Sequence, residues 1–213
     1  MSIRLLLATC TLFAVTHIGN TAELNIAPNA EAVQPVQVGQ QAPQFTVQQV
    51  DGSDYDFNPM QRQRPALIIT FRGGWCPFCN MQLQELRHVV PELKASGYEV
   101  LFLSSDRPEI LYSSLKDENQ QLDYTILSDA DMQAASALGI AFKIPAADIE
   151  RMATAGLDLE ATTGNALHAL PVPAVFIVDA GGIVRFAYVN PDYRVRLSAD
   201  KVRAAAMGLL QPL

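Results

Sequence analysis

The chain has 213 residues, 49% of them hydrophobic and 17% charged, enough apolar material for one folded domain with its own core. Its net charge is −7. No Lys/Arg cluster is present, which argues against nucleic acid as a partner, since phosphate binding needs grouped cations. The densest basic stretch, Gln61-Arg62-Gln63-Arg64, is short and reads as a solvated loop.

At the N-terminus Arg4 precedes an apolar run from Leu5 to Val15, followed by small polar residues. That is the layout of a secretory signal peptide, and the run is shorter than the roughly 20 apolar residues a membrane span needs. Residues 1–22 are therefore expected to be a leader, with Ala22 at its end although Asn20 is a poor third-from-last residue. Export to the bacterial periplasm is expected, with no stable membrane insertion afterwards. Cys10, after "LAT", stands too early for a lipoprotein signal. Removing the leader takes away Cys10 and leaves Cys76 and Cys79 of the three cysteines. In an oxidising compartment such a pair is expected to be bonded or to cycle.

Residues 23–41 are polar, contain Pro28 and Pro35, and show no lasting period, so they read as an extended arm or linker before a domain at 42–213. "QFTVQQV" alternates and meets Asp51-Gly52, a hairpin signal. "PALIITF", Pro65 to Phe71, suits a strand buried on both faces. A helix is predicted from about Pro77 to Ala95, ended by Gly97, with "YEVLFLSS" a second buried strand. Asp106 and Pro108 open a helix through "EILYSSLKDENQQL". A short strand "YTIL", a capped helix in "SDADMQAASALG", the hairpin "PAVFIVD"/"IVRFAYV" about Gly181-Gly182, and a last helix capped by Ser198 complete the order. The stretch from Ala141 to Leu170 reads as one short helix and a long loop, either a binding surface or an insertion with no role.

The chemistry centres on "FRGGWCPFCNMQLQEL", Phe71 to Leu86. Leu83, Leu86, Val90 and Leu93 mark a helical stripe that runs back to Cys79, so Cys79 is expected to be shielded. Cys76 falls at the helix start, with Pro77 at the first helical position. There the dipole and free N–H groups favour a thiolate, giving an exposed nucleophile beside a resolving thiol. A structural staple is a poor reading, because so small a loop constrains the unfolded chain little. Structural zinc is poorer still, because four Cys or His ligands are needed. His17 lies in the leader, His88 faces away from the stripe, and His168 sits in the distant loop. No metal and no cofactor are expected.

The order of elements matches a thioredoxin-like α/β fold, a central mixed, mostly parallel sheet flanked by helices, with an N-terminal β-hairpin extension. Together "FRGGWCPFCNMQLQEL", "LSSDRPEILYSSLKDENQQLDYTILSDADMQAASALGI" and "LPVPAVFIVDAGGIVRFAYVNPDY" resemble the alkyl hydroperoxide reductase/thiol-specific antioxidant (AhpC/TSA) family, in its peroxiredoxin-like CxxC branch. The likeness covers roughly Val38 to Leu210. It implies thiol-based reduction of hydroperoxides or disulfides by Cys76 and Cys79, with an external thiol, thioredoxin-like or small, as reductant. Trp75, Pro77, Arg72, Val172 and Pro173 are implied positioning or substrate residues. In thioredoxin-like folds a proline in the place of Pro173 is often cis, which would leave the Val172 backbone free to pair with an extended substrate.

The sequence departs from the peroxiredoxin pattern Pro-x-x-x-Thr/Ser-x-x-Cys. With Cys79 in the final place, Cys76 takes the Thr/Ser position and Arg72 the proline; with Cys76 there, Gly73 and Ile69 fall on them. Pro173 also stands where peroxiredoxins carry an arginine, so the peroxide-activating set reads as missing, with Arg72 a partial replacement. Peroxide reduction is then expected to be slower than in a dedicated peroxidase, and disulfide exchange comparatively efficient. Two alternatives stay open: a thiol:disulfide interchange protein without peroxidase activity, and a non-catalytic binding module.

Overall fold

In the computed structural model the protein is described over residues 23–111 and 125–210. The leader, and the helix through "EILYSSLKDENQQL" beyond its first turn at 108–111, lie outside the described residues. The strands are β1 Phe45–Gln48, β2 Asp54–Phe57, β3 Ala66–Phe71, β4 Glu99–Ser104, β5 Thr125–Ser128, β6 Ala141–Lys143, β7 Ala169–Pro171, β8 Ala174–Val178 and β9 Val184–Val189. The helices are α1 Pro77–Leu86, α2 Val90–Ala95, α3 Gln133–Ala137, α4 Ala146–Thr154, α5 Leu159–Thr163 and α6 Ala199–Leu209.

Seven strands form one sheet in the order β2-β1-β5-β4-β3-β8-β9. The sheet is mixed, as expected, but parallel pairing is confined to β5-β4-β3; the other neighbours are antiparallel. The alternation of strand and helix made the parallel share look larger, because β1 joins β5 antiparallel, with β2 beyond it, and β8 and β9 add two more antiparallel neighbours at the other side. The continuous apolar run of β3 follows from its central place. Ile68 faces a core with Phe57, Leu101, Leu103 and Phe176, whereas Leu67, Ile69 and Phe71 face another with Leu86, Leu93, Phe102 and Val202. Full burial of each large side chain stabilises by about 1.5–3 kcal/mol.

Three segments differ from expectation. The helix predicted from Pro77 to Ala95 is two helices, α1 and α2, with a turn between them. Pro91 has no N–H to give to the carbonyl four residues back, and its ring clashes there; it therefore lies in the first turn of α2. The arm at 23–41 is extended, yet it is docked on the domain rather than free. Ala27 N donates to Ala141 O at 2.9 Å, Val36 N to Leu138 O at 3.0 Å, and Ile26, Val33 and Val36 pack on the core. The segment from Ala141 to Leu170 holds two helices and the β6–β7 ribbon rather than one helix and a loop. Ser198 stands at the N-cap of α6 as predicted, without a side-chain capping bond.

Asp129 caps α3 from a buried position, its two oxygens each accepting a bond at 2.8 Å, from Ala134 N and Ala135 N. Burial pushes its carboxyl up to about 7 against those two bonds. A raised acid holds its proton more tightly folded than unfolded, so the stability this gives is complete below about pH 4 and lost towards neutrality. Asp129→Asn keeps one acceptor and cannot ionise. The melting-temperature advantage of the wild type over this variant should therefore shrink as pH rises from about 5 to about 8. A constant difference would show that Asp129 does not titrate in that window.

Candidate active site

Cys76 lies where the chain leaves β3 for α1, with extended backbone (φ −89°, ψ 113°), at the N-cap, and Pro77 takes the first helical position. A proline there loses no needed hydrogen bond, and the open N–H groups of the first turn favour an anionic sulfur. Cys79 falls one turn later on the buried stripe, with Leu86 and then Val90 and Leu93 of α2. His88 is exposed, facing away from that stripe.

The expected exposure of Cys76 is overturned. Cys76 is only 1% exposed and Cys79 0%, and both are free thiols. Both sit in the hydrophobic core, and the loop after β9 lies beside them. Tyr193 meets Phe78 edge-on, ring centroids 5.8 Å apart, and lies 4.2 Å from the Arg72 guanidinium. Arg196 comes down on the sulfurs: Nη2 donates to Cys79 Sγ at 3.0 Å and stands 4.0 Å from Cys76 Sγ. Its Nε donates to Tyr193 O at 2.8 Å and its Nη1 to Gln82 Oε1 at 3.3 Å, while buried Gln82 donates through Nε2 to Leu197 O at 3.1 Å.

Arg196 therefore adds to Arg72 a second guanidinium beside the sulfurs, one that the comparison of Pro173 with an arginine position does not reveal. Sequence reasoning passed over it because it lies 120 residues from Cys76. One local signal exists: Arg196 precedes the Ser198 N-cap of α6 by two residues, where the helix dipole disfavours a cation unless an anion lies close.

Arg72 is 7% exposed, stacked between Tyr193 and the Trp75 ring, the latter 5.0 Å away. The Cys76 thiol is held well below the ordinary thiol range. The Cys79 thiol donating to it is the main cause, against the penalty of burial, with the Cys79 N–H and the charges of Arg72 and Arg196 adding to the effect. Cys79 is pushed the other way, by burial first and then by its bond to Cys76. The two sulfurs thus differ in electrostatics rather than in exposure.

The loop before Cys76 is fixed by a buried carboxylate. Asp106 Oδ2 accepts from Gly74 N at 2.6 Å and from Ser104 Oγ at 3.1 Å, and burial raises its carboxyl. Ser105 Oγ donates to Arg72 O, and Asn80 Nδ2 to Gly74 O at 2.8 Å. Gly73 has φ 144°, and a Cβ there would lie 2.2 Å from Trp75 Nε1 and 2.7 Å from Asp106 Oδ1. Only glycine fits.

Val172 and Pro173 lie near this site but do not act as expected. All described peptide bonds are trans, Pro173 included. Val172 N donates to Ile140 O at 2.8 Å, and Val172 O accepts from Thr70 Oγ1 at 3.1 Å. Its backbone is occupied inside the protein and offers nothing to an extended substrate. Pro173 instead lines a groove of about 510 Å³ beside Arg72 and Tyr193. Phe142, Ile144 and Met152 form its far wall, which gives the 141–170 segment a place at the site. His168, in that segment, pairs with Glu160 at 2.6 Å. Among the described residues no group of three or more His, Cys, Asp or Glu could hold a metal ion, and no helix is long and apolar enough to cross a membrane.

A dithiol at a helix N-terminus, flanked by guanidinium groups on a thioredoxin-like sheet, defines a thiol-based redox protein. The AhpC/TSA family profile matches residues 38–187, and the chain belongs to that family. Peroxiredoxin Bcp of Escherichia coli is 35% identical over 106 residues, which is 50% of this chain and 66% of that relative. Thiol-disulfide oxidoreductase ResA of Bacillus cereus is 27% identical over 75 residues, 35% of this chain and 42% of ResA. A solved peroxiredoxin-like protein from Aquifex aeolicus superposes with a TM-score of 0.61 over 87% of this chain and 98% of that one. At 20% identity that likeness shows the shared fold.

Proposed function

We propose that this protein is a thiol peroxidase that cycles Cys76 and Cys79 between dithiol and disulfide. The observation that carries the reading is the Cys76 sulfur, depressed in pKa and set beside the Cys79 thiol and the Arg72 and Arg196 guanidinium groups. The thiolate attacks the distal oxygen of a hydroperoxide and the O–O bond breaks. Cys76 becomes a sulfenic acid, and the alkoxide leaves as an alcohol after taking a proton from water. Cys79 then displaces the sulfenic hydroxyl as water, forming the disulfide. An external thiol, thioredoxin-like or small, returns two electrons. A closed site suits a small hydroperoxide, and the occupied Val172 backbone weighs against a polypeptide disulfide paired as a strand. Arg72 ranks ahead of Arg196 in favouring the Cys76 thiolate, so it is the first candidate for the missing arginine's part in the attack on peroxide.

The test is stopped-flow oxidation of the reduced protein by hydrogen peroxide across pH. The thiolate is the reacting form, and its fraction falls only as pH drops through a lowered pKa. The rate constant should therefore stay level well below the free-thiol value of about 8.5 and fall only in acid. A rate no better than a free thiol's, or one still rising above about pH 8, would remove the peroxidase reading. The second reading, disulfide exchange without peroxidase activity, is favoured by the CxxC spacing and the partial likeness to ResA. Rapid oxidation by a small disulfide alone would select it.

Export to the periplasm is part of the same proposal, supported by Arg4 and the apolar run to Val15. Intact mass of the protein from its native host should give a chain starting between about Thr21 and Ala32. A cytoplasmic chain starting at Met1 or Ser2 would end this idea.

A further inference from the structure

We propose that Arg196 is a catalytic residue of the second half-reaction: its guanidinium serves the resolving sulfur of Cys79 more than the attacking sulfur of Cys76. This rests on the dithiol reading above. The distances are unequal, 3.0 Å from Arg196 Nη2 to Cys79 Sγ and 4.0 Å to Cys76 Sγ. The first is a direct charge-assisted hydrogen bond; the second is at the outer limit for sulfur. Cys76 also has activators that do not pass through Arg196, namely the Cys79 thiol, the Cys79 N–H and the charge of Arg72, and these rank ahead of Arg196. Cys79 has burial against it, and the charge of Arg196 leads the effects that favour its thiolate. The arginine is also aimed: Gln82 Oε1 and Tyr193 O each take one of its N–H groups, leaving Nη2 on the sulfurs.

The step balances simply. Cys79 loses its proton and its sulfur attacks the Cys76 sulfur. The S–O bond breaks, and the departing hydroxide takes up a proton to leave as water. Cys76 sulfenic acid and Cys79 thiol thus give one disulfide and one water, with no further oxidant. A cation bonded to Cys79 lowers the cost of the anion this step needs. The same anion is needed when the first oxidant is a small disulfide, because Cys79 must then expel the mixed disulfide from Cys76.

The experiment compares Arg196→Met and Arg196→Lys with wild type, following Trp75, the chain's single tryptophan, by stopped-flow fluorescence. The peroxide-dependent phase reports attack by Cys76 and the peroxide-independent phase reports resolution. Arg196→Met should slow resolution about tenfold or more, the scale of one charge-assisted hydrogen bond, while attack changes less than about threefold. Its resolution phase should also need higher pH, dimedone should trap more Cys76 sulfenic acid, and Arg196→Lys should restore part of the rate. Because both phases come from one sample, a general loosening of the loop would slow both. Equal slowing of the two, or slowing of attack alone, overturns the proposal. If wild type does not react with peroxide, the peroxidase reading has failed, and 5,5′-dithiobis(2-nitrobenzoate) still decides this one. The first thionitrobenzoate should then leave at nearly the wild-type rate, and the second should leave slowly in Arg196→Met. Unchanged release of the second overturns it.

Discussion

Replacing Cys76 with serine should abolish turnover with every hydroperoxide and disulfide, by at least about 10³-fold, whereas Cys79→Ser should still react once and then stall. The asymmetry follows from the sulfurs' surroundings, since Cys76 is held as the readier thiolate and Cys79 is pushed away from ionisation. In Cys79→Ser the oxidised Cys76 has no neighbour to resolve it, so sulfenic acid or a mixed disulfide should accumulate and be visible by intact mass. Cys79→Ser also removes the thiol hydrogen bond to Cys76, the main cause of its lowered pKa. The single turnover should therefore shift to higher pH than in wild type, in proportion to how well the serine hydroxyl stands in as donor. If Cys79 is instead the thiol that iodoacetamide alkylates first, the roles of the pair are reversed.

The second large effect is expected at Gly73. With φ 144° and a Cβ position 2.2 Å from Trp75 Nε1, Gly73→Ala must move the tryptophan ring, the Asp106 carboxylate or the loop itself. Backbone strain of this kind costs on the order of 1–3 kcal/mol. Because Gly74 N is held by Asp106, the displacement reaches Cys76 two residues later. Misplacement of a nucleophile by about 1 Å is worth on the order of 10² in rate. Activity should fall by about that factor, the melting temperature by several degrees, and Trp75 fluorescence should change. An alanine variant with wild-type rate and emission would show that the loop relaxes at no cost.

Local pattern carried most of the fold and one half of the site. The hairpin at Asp51-Gly52, the apolar run of β3 and the stripe through Cys79 and Leu86 were legible because they depend on residues close in sequence. Cys76 at the N-cap with Pro77 behind it was legible for the same reason. Pro91 was equally local, and the apolar spacing simply masked its effect on the helix. What did not read from the sequence was whatever depends on chain returning from afar. The guanidinium over the two sulfurs comes from Arg196, and the state of the Val172 backbone is set by Thr70 and Ile140. Between Ala141 and Leu170 one helix was expected, and the second, α5, and the β6–β7 ribbon were missed because five residues and strands of three are too short to show a period.

The break at Pro91 divides what would have been one long helix into two cooperative units. Alone, the ten residues of α1 fall short of the roughly 12–15 an isolated helix needs in water. Its order depends on Cys79, Gln82 and Leu86, two of which touch the Arg196–Leu197 segment. α2 has separate moorings, in Val90, Leu93 and the Arg203–Glu92 ion pair, 2.6 Å long. Making or breaking a disulfide at Cys79 therefore bears first on α1, whose polar ties run to the Arg196–Leu197 segment, while α2 keeps its own tie through Arg203 and Glu92.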